Sequence, residues 1–393
     1  MIFELFYFLI AFSCGLLACY LLFTVVFKGG SAPASLAAKS FPGVTILKPM
    51  KNIDDGLEDN LVSFFTLDYP DYRIIFGVDT YEDACVTVIE RIKKLYPRVN
   101  ASVVQTGTTG SVNPKIDKLA KMSREDTAPL FWVSDSNTRV GRETLKLLVL
   151  EYMNNDSKIV FSPIRGTGSG TLGSIMANSY LNLFVSGSIL GSWVLFSKPI
   201  IVGKSMLVEA KALNKLGGFS AFSSYLAEDY MMGEIYKENG IYISTNCTWV
   251  ENFSSSTSIR TFYSRMSRWA KMRRRIDPFF YSLEILANPL ALAFVSIFFL
   301  GWRGVGFFAA AFVFKLAVEY ASLFLVNKAD TADSRVLAYY PLCVLIKDAI
   351  LFRVYIDSFF SKTVKWHGKK ITIGSKSTIS ALHAPEGKNE KQR

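Results

Sequence analysis

Histidine is almost missing from this chain: only His367 and His383 occur, both close to the C-terminus. Acid–base chemistry in the body of the protein must therefore fall to carboxylates, lysine, tyrosine or cysteine. Cysteine is also sparse, with Cys14, Cys19, Cys85, Cys247 and Cys343 and no CxxC pair. That excludes a zinc knuckle or a thioredoxin-like site, and the thiols read as reduced, with the globular part facing the cytosol. Charge is scarce too, at 20% of residues against the ~25% of a typical soluble domain. Half of the residues are apolar, and they crowd into residues 1–27 and the stretch after Pro278. A disordered chain, a coiled coil, a collagen and a small disulfide scaffold are all excluded.

The net charge of +11 would suit nucleic acid, but its location argues for a membrane. Lys271, Arg273, Arg274 and Arg275 stand at the start of an apolar stretch, and further lysines follow Ser361. Positive residues flanking apolar spans are retained on the inner side and favour anionic headgroups. Residues 2–27 carry one charge, Glu4, and are long enough to cross a bilayer. They lack a basic leader and a small-residue cleavage site, so they read as a retained helix rather than a signal peptide. Residues 285–302 and 304–326 read as two further spans joined at GWRG, with Lys315 and Glu319 one turn apart and expected to pair. Residues 336–360 hold Lys347, Asp348, Arg353 and Asp357; a mid-membrane charge costs ~2.5–3.5 kcal/mol, so this segment is expected to lie at the interface or re-enter. Residues 166–197 carry no charge but are rich in Gly, Ser, Thr and Asn. An interfacial or substrate-lining segment is expected there rather than a crossing.

Between these regions, VTIL (44–47), RIIFGV (73–78), ASVVQ (101–105), LFWVS (130–134) and KIVFS (158–162) alternate with helical spacing at 83–96 and 142–153. Apolar strands alternating with helices predict an α/β fold with a mostly parallel sheet covered on both faces. Ligands of such sheets bind beyond the carboxyl ends of the strands.

Three motifs fail on inspection. Gly168-Ser-Gly170-Thr-Leu-Gly173 fits GxGxxG, yet no acid stands ~20 residues on to hold a ribose. Gly203-Lys204-Ser205 resembles the end of a phosphate-binding loop, but the expected first glycine is Lys198. Asn246-Cys247-Thr248 is a glycosylation sequon that a cytosolic domain would not use.

The strand ends are more informative. Asp79 follows RIIFGV, Asp83 lies four residues later, and Asp135 follows LFWVS. Turn or helix-capping roles are the bland alternative for each. A carboxylate at a buried strand end, in a chain without useful histidine, suits a hard cation shared with substrate phosphates. Glu228 and Asp229 are adjacent acids among apolar neighbours, where burial and mutual repulsion raise a pKa toward that of a general base. Arg265 and Arg268 share a helical face and can fork onto phosphate oxygens, beside Trp269; a juxtamembrane helix gripping lipid headgroups would explain their charge but not the tryptophan. Acids for a metal, an acid for a base and paired arginines for a diphosphate suggest sugar transfer from a nucleotide donor. The apolar spans suggest a lipid acceptor or a growing polymer.

At this point the sequence resembles a known family. Asp79/Asp83, Asp135, Asp229 and Arg265-x-x-Arg268-Trp269 look like the D, D, D, (Q/R)xxRW signature of inverting GT-A glycosyltransferases. Thr45-Ile-Leu-Lys48-Pro49, Asn113-Pro-Lys115, Gly203-Lys-Ser-Met206, Ala227-Glu-Asp229-Tyr230 and Ser264 to Lys271 resemble ceramide glucosyltransferases, glycosyltransferase family 21. The resemblance implies a GT-A domain that moves glucose from UDP-glucose to ceramide on the cytosolic face, using Mn2+ or Mg2+. It implies Asp79 or Asp83 at the uridine, Lys115 and Glu228 near the substrates and Asp135 on the metal. Asp229 would be the base, with Arg265, Arg268 and Trp269 at the diphosphate. The family often has Asp-Pro at the first acidic site, where Ala84 follows Asp83 here, so the choice between Asp79 and Asp83 stays open. A hopanoid-type acceptor and a non-catalytic sugar-nucleotide-binding protein are the alternatives; a polymer synthase would need more spans. The expected organisation is a transmembrane helix (1–28), a linker (29–42), a catalytic domain (43–277), two or three hydrophobic helices (278–360) and a basic tail (361–393).

Overall fold

The structure, a computed structural model, describes residues 1–28, 40–107, 112–245, 248–366 and 369–381. Most of the linker, Cys247, His367 and His383 lie outside them.

In chain order the strands are β1 (Val44–Pro49), β2 (Tyr72–Val78), β3 (Asn100–Gln105), β4 (Leu130–Val133), β5 (Thr138–Arg139), β6 (Ile159–Phe161), β7 (Ile164–Thr167), β8 (Met206–Glu209), β9 (Ile243–Thr245), β10 (Val250–Phe253), β11 (Thr363–Trp366), β12 (Lys369–Ile373) and β13 (Ile379–Ala381). The helices of the globular part are α2 (Leu57–Phe65), α3 (Ala84–Leu95), α4 (Pro114–Met122), α5 (Thr144–Asn155), α6 (Leu172–Tyr180), α7 (Ser186–Phe196), α8 (Ala210–Lys215), α9 (Glu228–Glu238) and α10 (Ile259–Ile276), preceded by α1 (Ile2–Lys28). After them come α11 (Pro278–Leu283), α12 (Pro289–Leu300), α13 (Trp302–Val326) and α14 (Ser334–Phe360).

Seven strands form one sheet in the order β3-β2-β1-β4-β8-β6-β9. All are parallel except β8, which runs against both β4 and β6. The expected strands are all present, and their continuous apolar runs have the cause anticipated: successive residues point to opposite faces, and both faces are covered. Ile46, Ile74 and Trp132 pack with α2, α3 and α5; Leu47, Ile75, Phe131 and Val133 pack with α4, α8 and α9. The carboxyl ends of β2 and β4 thus open on one edge, bearing Asp79 and Asp135.

Among the described residues, three helices are long and apolar enough to cross a membrane by length and composition: α1, the α6–α7 stretch and α13; α11 with α12 forms a further broken pair bent by 77°. The α6–α7 stretch leaves the sheet after β6 and returns to it at β8, and those strands are hydrogen-bonded neighbours. A single crossing would place them on opposite sides of a bilayer, so the excursion stays on one side. Its Gly187 and Gly191 lie against Tyr20 and Phe23 of α1, where small residues let two helix backbones approach. Gly301, at φ 57°, makes the tight link between α12 and α13. α14 is one continuous helix despite Pro341.

One expectation changes. The stretch read as a basic tail is folded over residues 363–381 into a three-stranded antiparallel sheet, β11-β12-β13. Val364, Ile371, Ile373 and Ile379 are buried beneath it with Leu226.

Candidate active site

Asp135 stands just past β4 and is held by two lysines. Its Oδ1 is 3.0 Å from Lys115 Nζ and its Oδ2 is 2.8 Å from Lys204 Nζ. Lys48, fully buried at the end of β1, donates to the Asp135 carbonyl at 2.9 Å and lies over the Phe64 ring. Burial works against the Asp135 charge, but Lys115 and Lys204 hold its carboxyl well below the usual carboxylate range. Burial pushes Lys48 down to about 7, against the pull of Asp135.

Lys115 is shared. Asn113 caps α4 through the Ile116 N–H, and Pro114 at the first turn fixes the start of the helix. Lys115 then reaches Glu228 Oε1 at 3.1 Å as well as Asp135. Burial opposes its charge, yet Asp135, Glu228 and Asp229 outweigh it and keep Lys115 well above the usual lysine range.

Glu228 and Asp229 open α9. Asp229 Oδ2 accepts the Gly203 N–H at 2.6 Å and Oδ1 accepts the Tyr230 N–H at 2.8 Å. Burial and then the Glu228 charge push its carboxyl up to about 6, against Lys115 and those two N–H donors. A Cβ on Gly203 would sit 2.8 Å from Lys115 Nζ and 3.2 Å from Asp229 Oδ2, so a side chain here would push on both groups of the site. The Gly203-Lys204-Ser205 run thus serves the site without being a phosphate loop: its glycine holds Asp229, its lysine holds Asp135, and Ser205 accepts from the Trp132 indole at 3.0 Å.

Arg265 and Arg268 project from α10 toward this cluster. Both are partly buried, and among the described residues neither has a carboxylate within ion-pair distance. Arg265 feels Asp54, and Arg268 feels Glu228, only at longer range. Burial and then the like charge of Arg265 pull Arg268 down to about 10. Trp269, on the adjoining face, tilts against Tyr180 of α6 with ring centroids 6.5 Å apart. It packs against both the apolar core of the sheet and the membrane-side cluster.

The first acidic pair divides its work. Asp79 is bridged by Lys118 at 2.8 Å and Lys51 at 3.2 Å. Asp83 caps α3 through the Cys85 N–H at 3.1 Å and also accepts the Asn52 N–H at 3.0 Å. Both therefore fix the segment that follows β1. The Gly168 loop is no dinucleotide site either: its Gly168 and Ser169 N–H groups receive the Asp330 carboxylate at 3.1 and 3.2 Å.

Reasoning along the chain missed Lys48, Lys204 and Asp54. Asp54 accepts from Ser136, and its neighbour Asp55 accepts the Ser255 and Ser256 N–H groups just before α10. The signal for Lys48 was a lysine ending an otherwise apolar strand. Among the described residues no three His, Cys, Asp or Glu side chains converge as a metal cage. Asp135 alone fits a cation that draws its other ligands from phosphates and water.

Comparison with known proteins bears on the family and the fold. The family model for Glycosyl transferase family 21 matches residues 5–379. The chain is 25% identical over 337 residues to Ceramide glucosyltransferase 3 of Caenorhabditis elegans, covering 83% of this chain and 72% of that protein. It is 26% identical over 271 residues to Ceramide glucosyltransferase 1 of the same organism, covering 67% and 57%. Among solved structures, mannosyltransferase PcManGT from Pyrobaculum calidifontis, in complex with GDP-Man and Mn2+, superposes with a TM-score of 0.54 at 16% identity, covering 92% of this chain and 99% of that one. That likeness is one of fold: the α/β sheet expected from the strand pattern and the GT-A-like arrangement implied by the resemblance. With a family match running from the N-terminal helix to the C-terminal sheet, and the acids and arginines of the signature gathered around one sheet edge, this membrane protein belongs to glycosyl transferase family 21.

Proposed function

We propose that this glycosyltransferase moves glucose from UDP-glucose to the primary hydroxyl of ceramide with inversion, giving glucosylceramide and UDP on the cytosolic face of its membrane. The observation that carries the reading is the Arg265–Arg268 pair: two repelling guanidiniums, partly buried, without a carboxylate partner among the described residues, on the rim of an acid–lysine cluster. Such an arrangement is stabilised by an incoming diphosphate, which both forks can grip.

Asp229 takes the proton of the acceptor hydroxyl as that oxygen attacks the anomeric carbon. The bond from that carbon to the β-phosphate oxygen breaks on the opposite side, its electron pair leaves with UDP, and the configuration inverts. The Gly203 N–H fixes the carboxylate that does this. Arg265, Arg268 and Lys115 supply the positive charge that favours departure of the diphosphate. A divalent cation held by Asp135 and the phosphates would, when bound, neutralise charge on the leaving group; Lys115 and Lys204 hold both Asp135 oxygens meanwhile.

The acceptor assignment is supported by the names of the curated relatives and by exposed apolar residues on α7 and α11. α11 lies at 77° to the apolar α12, the attitude of a helix resting on a membrane surface when its neighbour crosses. Its Phe279, Phe280 and Leu283 are exposed, as are Val194, Leu195 and Phe196 at the end of α7. Lys198 lies over the Phe280 ring at 5.9 Å, and the chain from there leads to Gly203. The cytosolic side is supported by the run Lys271 to Arg275 on the same level.

The test is incubation of the purified protein with several labelled sugar nucleotides and either ceramide or a hopanoid. Label from UDP-glucose in a β-linked glucosylceramide is the expected product; label on the hopanoid, or transfer of another hexose, would replace the substrate assignment.

A further inference from the structure

The C-terminal sheet β11–β13 belongs to no part of the chemistry described so far, yet three site-bearing segments meet on it. Its apolar underside, Val364, Ile371, Ile373 and Ile379, packs with Leu226, and against this cluster lie Val112 and Met272. Val112 stands three residues before Lys115, Leu226 two before Glu228, and Met272 one turn beyond Arg268 on α10. Backbone bonds reinforce the packing. The Leu226 N–H donates to the Ser377 carbonyl at 2.9 Å, and the Ala227 N–H to the Ser377 hydroxyl at 3.4 Å. The Ile379 N–H donates to the Ser224 carbonyl at 2.8 Å. Lys271 Nζ donates to the Thr363 carbonyl at 3.0 Å from the α10 side.

Ser377 itself is held in an unfavourable shape. It is fully buried, and both Lys376 (φ 50°) and Ser377 (φ 61°) are left-handed, a conformation that L-residues disfavour. Two such residues in succession persist only where surrounding contacts fix them. What they accomplish is to turn the Ser377 carbonyl onto the Leu226 N–H, two residues before α9, and the Ser377 hydroxyl onto the N–H of Ala227, the residue that caps the helix. Lys376 meanwhile reaches Glu238, at the other end of α9, at 3.3 Å.

We infer that the C-terminal sheet is a positioning element, and that Ser377, through its backbone carbonyl, sets the start of α9 so that Asp229 meets Gly203 and the acceptor. This rests on Asp229 being the base. Misplacing a reacting group by ~1 Å costs on the order of a hundred-fold, so a small rotation of α9 matters while the fold survives.

The experiment compares S377P, which cannot take the positive φ, with S377G, which keeps φ and the carbonyl and loses only the hydroxyl. D229N runs alongside, all as full-length chains in detergent with UDP-glucose and the lipid the unmodified protein glycosylates best. Titration calorimetry with UDP-glucose counts folded donor sites. For S377P we expect full donor stoichiometry, a ten- to hundred-fold loss of kcat (about 1.4–2.7 kcal/mol) and a displaced acid limb of the kcat–pH profile; S377G should stay within about three-fold of the unmodified chain, a ΔΔG‡ of ~0.65 kcal/mol. An S377P protein with unchanged kcat and acid limb, or one whose donor stoichiometry falls in step with kcat, would overturn the inference. Retained turnover in D229N would instead remove the base assignment on which it stands.

Discussion

Two clusters of buried charge flank α10, and they are built from the same residue types to opposite ends. On the membrane side, Lys315 meets Asp348 at 2.7 Å, Lys347 meets Glu319, and Ser179 bridges the second pair by donating to Glu319 at 2.8 Å. The expected Lys315–Glu319 contact is there but long, at 3.9 Å; the closer partner of Lys315 comes from α14. Among the described residues two cations face two anions here. This explains how α14 tolerates Lys347 and Asp348 in an apolar region: the charges are mutually neutralised across α6, α13 and α14. On the catalytic side, Lys115 and Lys204 bridge Asp135 and Glu228, backbone N–H groups hold Asp229, and among the described residues the two arginines have no carboxylate within ion-pair distance. A fully paired cluster fixes helices against one another; the unpaired arginines leave the other cluster open to an anion, the diphosphate of the proposed reaction.

The largest expected effect tests the catalytic side directly. Asp229→Asn should retain UDP-glucose binding by calorimetry and lose ~10²–10⁴ in kcat. Because the Asp229 carboxyl is pushed up to about 6, it is protonated and idle below that pH. Turnover of the unmodified protein should therefore fall as pH drops through about 6 and level off above it, and D229N should lack this limb. Next, Arg268→Ala should weaken both donor binding and turnover, by on the order of 10²–10³ in kcat/KM, measured by initial rates against UDP-glucose. Arg268→Lys should recover only part of this, since an ammonium cannot fork.

The opposite cluster should respond in stability and not in chemistry. Lys347→Met leaves Glu319 buried without its main partner and should cost ~3–5 kcal/mol, read as a loss of Tm in detergent with kcat per folded molecule nearly unchanged. Removing both charges, as K347M/E319L, should restore most of that Tm. A kcat loss in K347M at full donor stoichiometry would break the contrast drawn between the two clusters. The smallest effect belongs to Asp83→Ala, which removes a helix cap worth ~1 kcal/mol and should lower Tm slightly. If instead it raised the donor KM ten-fold, Asp83 rather than Asp79 would be the nucleotide contact.

Much of this was legible along the chain. The strands before Asp79 and Asp135 followed from apolar runs ending in an acid, and α1 and α13 from length and composition; the span expected over residues 285–302 is instead a bent pair of shorter helices. Arg265 and Arg268 followed from helical spacing. Lys204 was visible as a residue but not as a partner, because its meeting with Asp135 depends on β8 running antiparallel beside β4. The reversal of a single strand is not encoded in that strand's own periodicity. Asp83 carried the ambiguity inherent in its type, since an Asp after a strand can serve a ligand or a helix end equally well.

The sequence by itself determined which segments are apolar enough to be buried or to enter a membrane, and which side chains could carry acid–base and phosphate chemistry, because hydrophobic periodicity and ionisable groups are local properties. Only the tertiary structure decided which charges neutralise one another and which are left facing the cleft. It also turned the lysine-rich C-terminus into a sheet beneath α9, since those short strands find their apolar partners in Val112, Leu226 and Met272, far away in the chain. Pairing is a matter of distance in space, and no local pattern reports it.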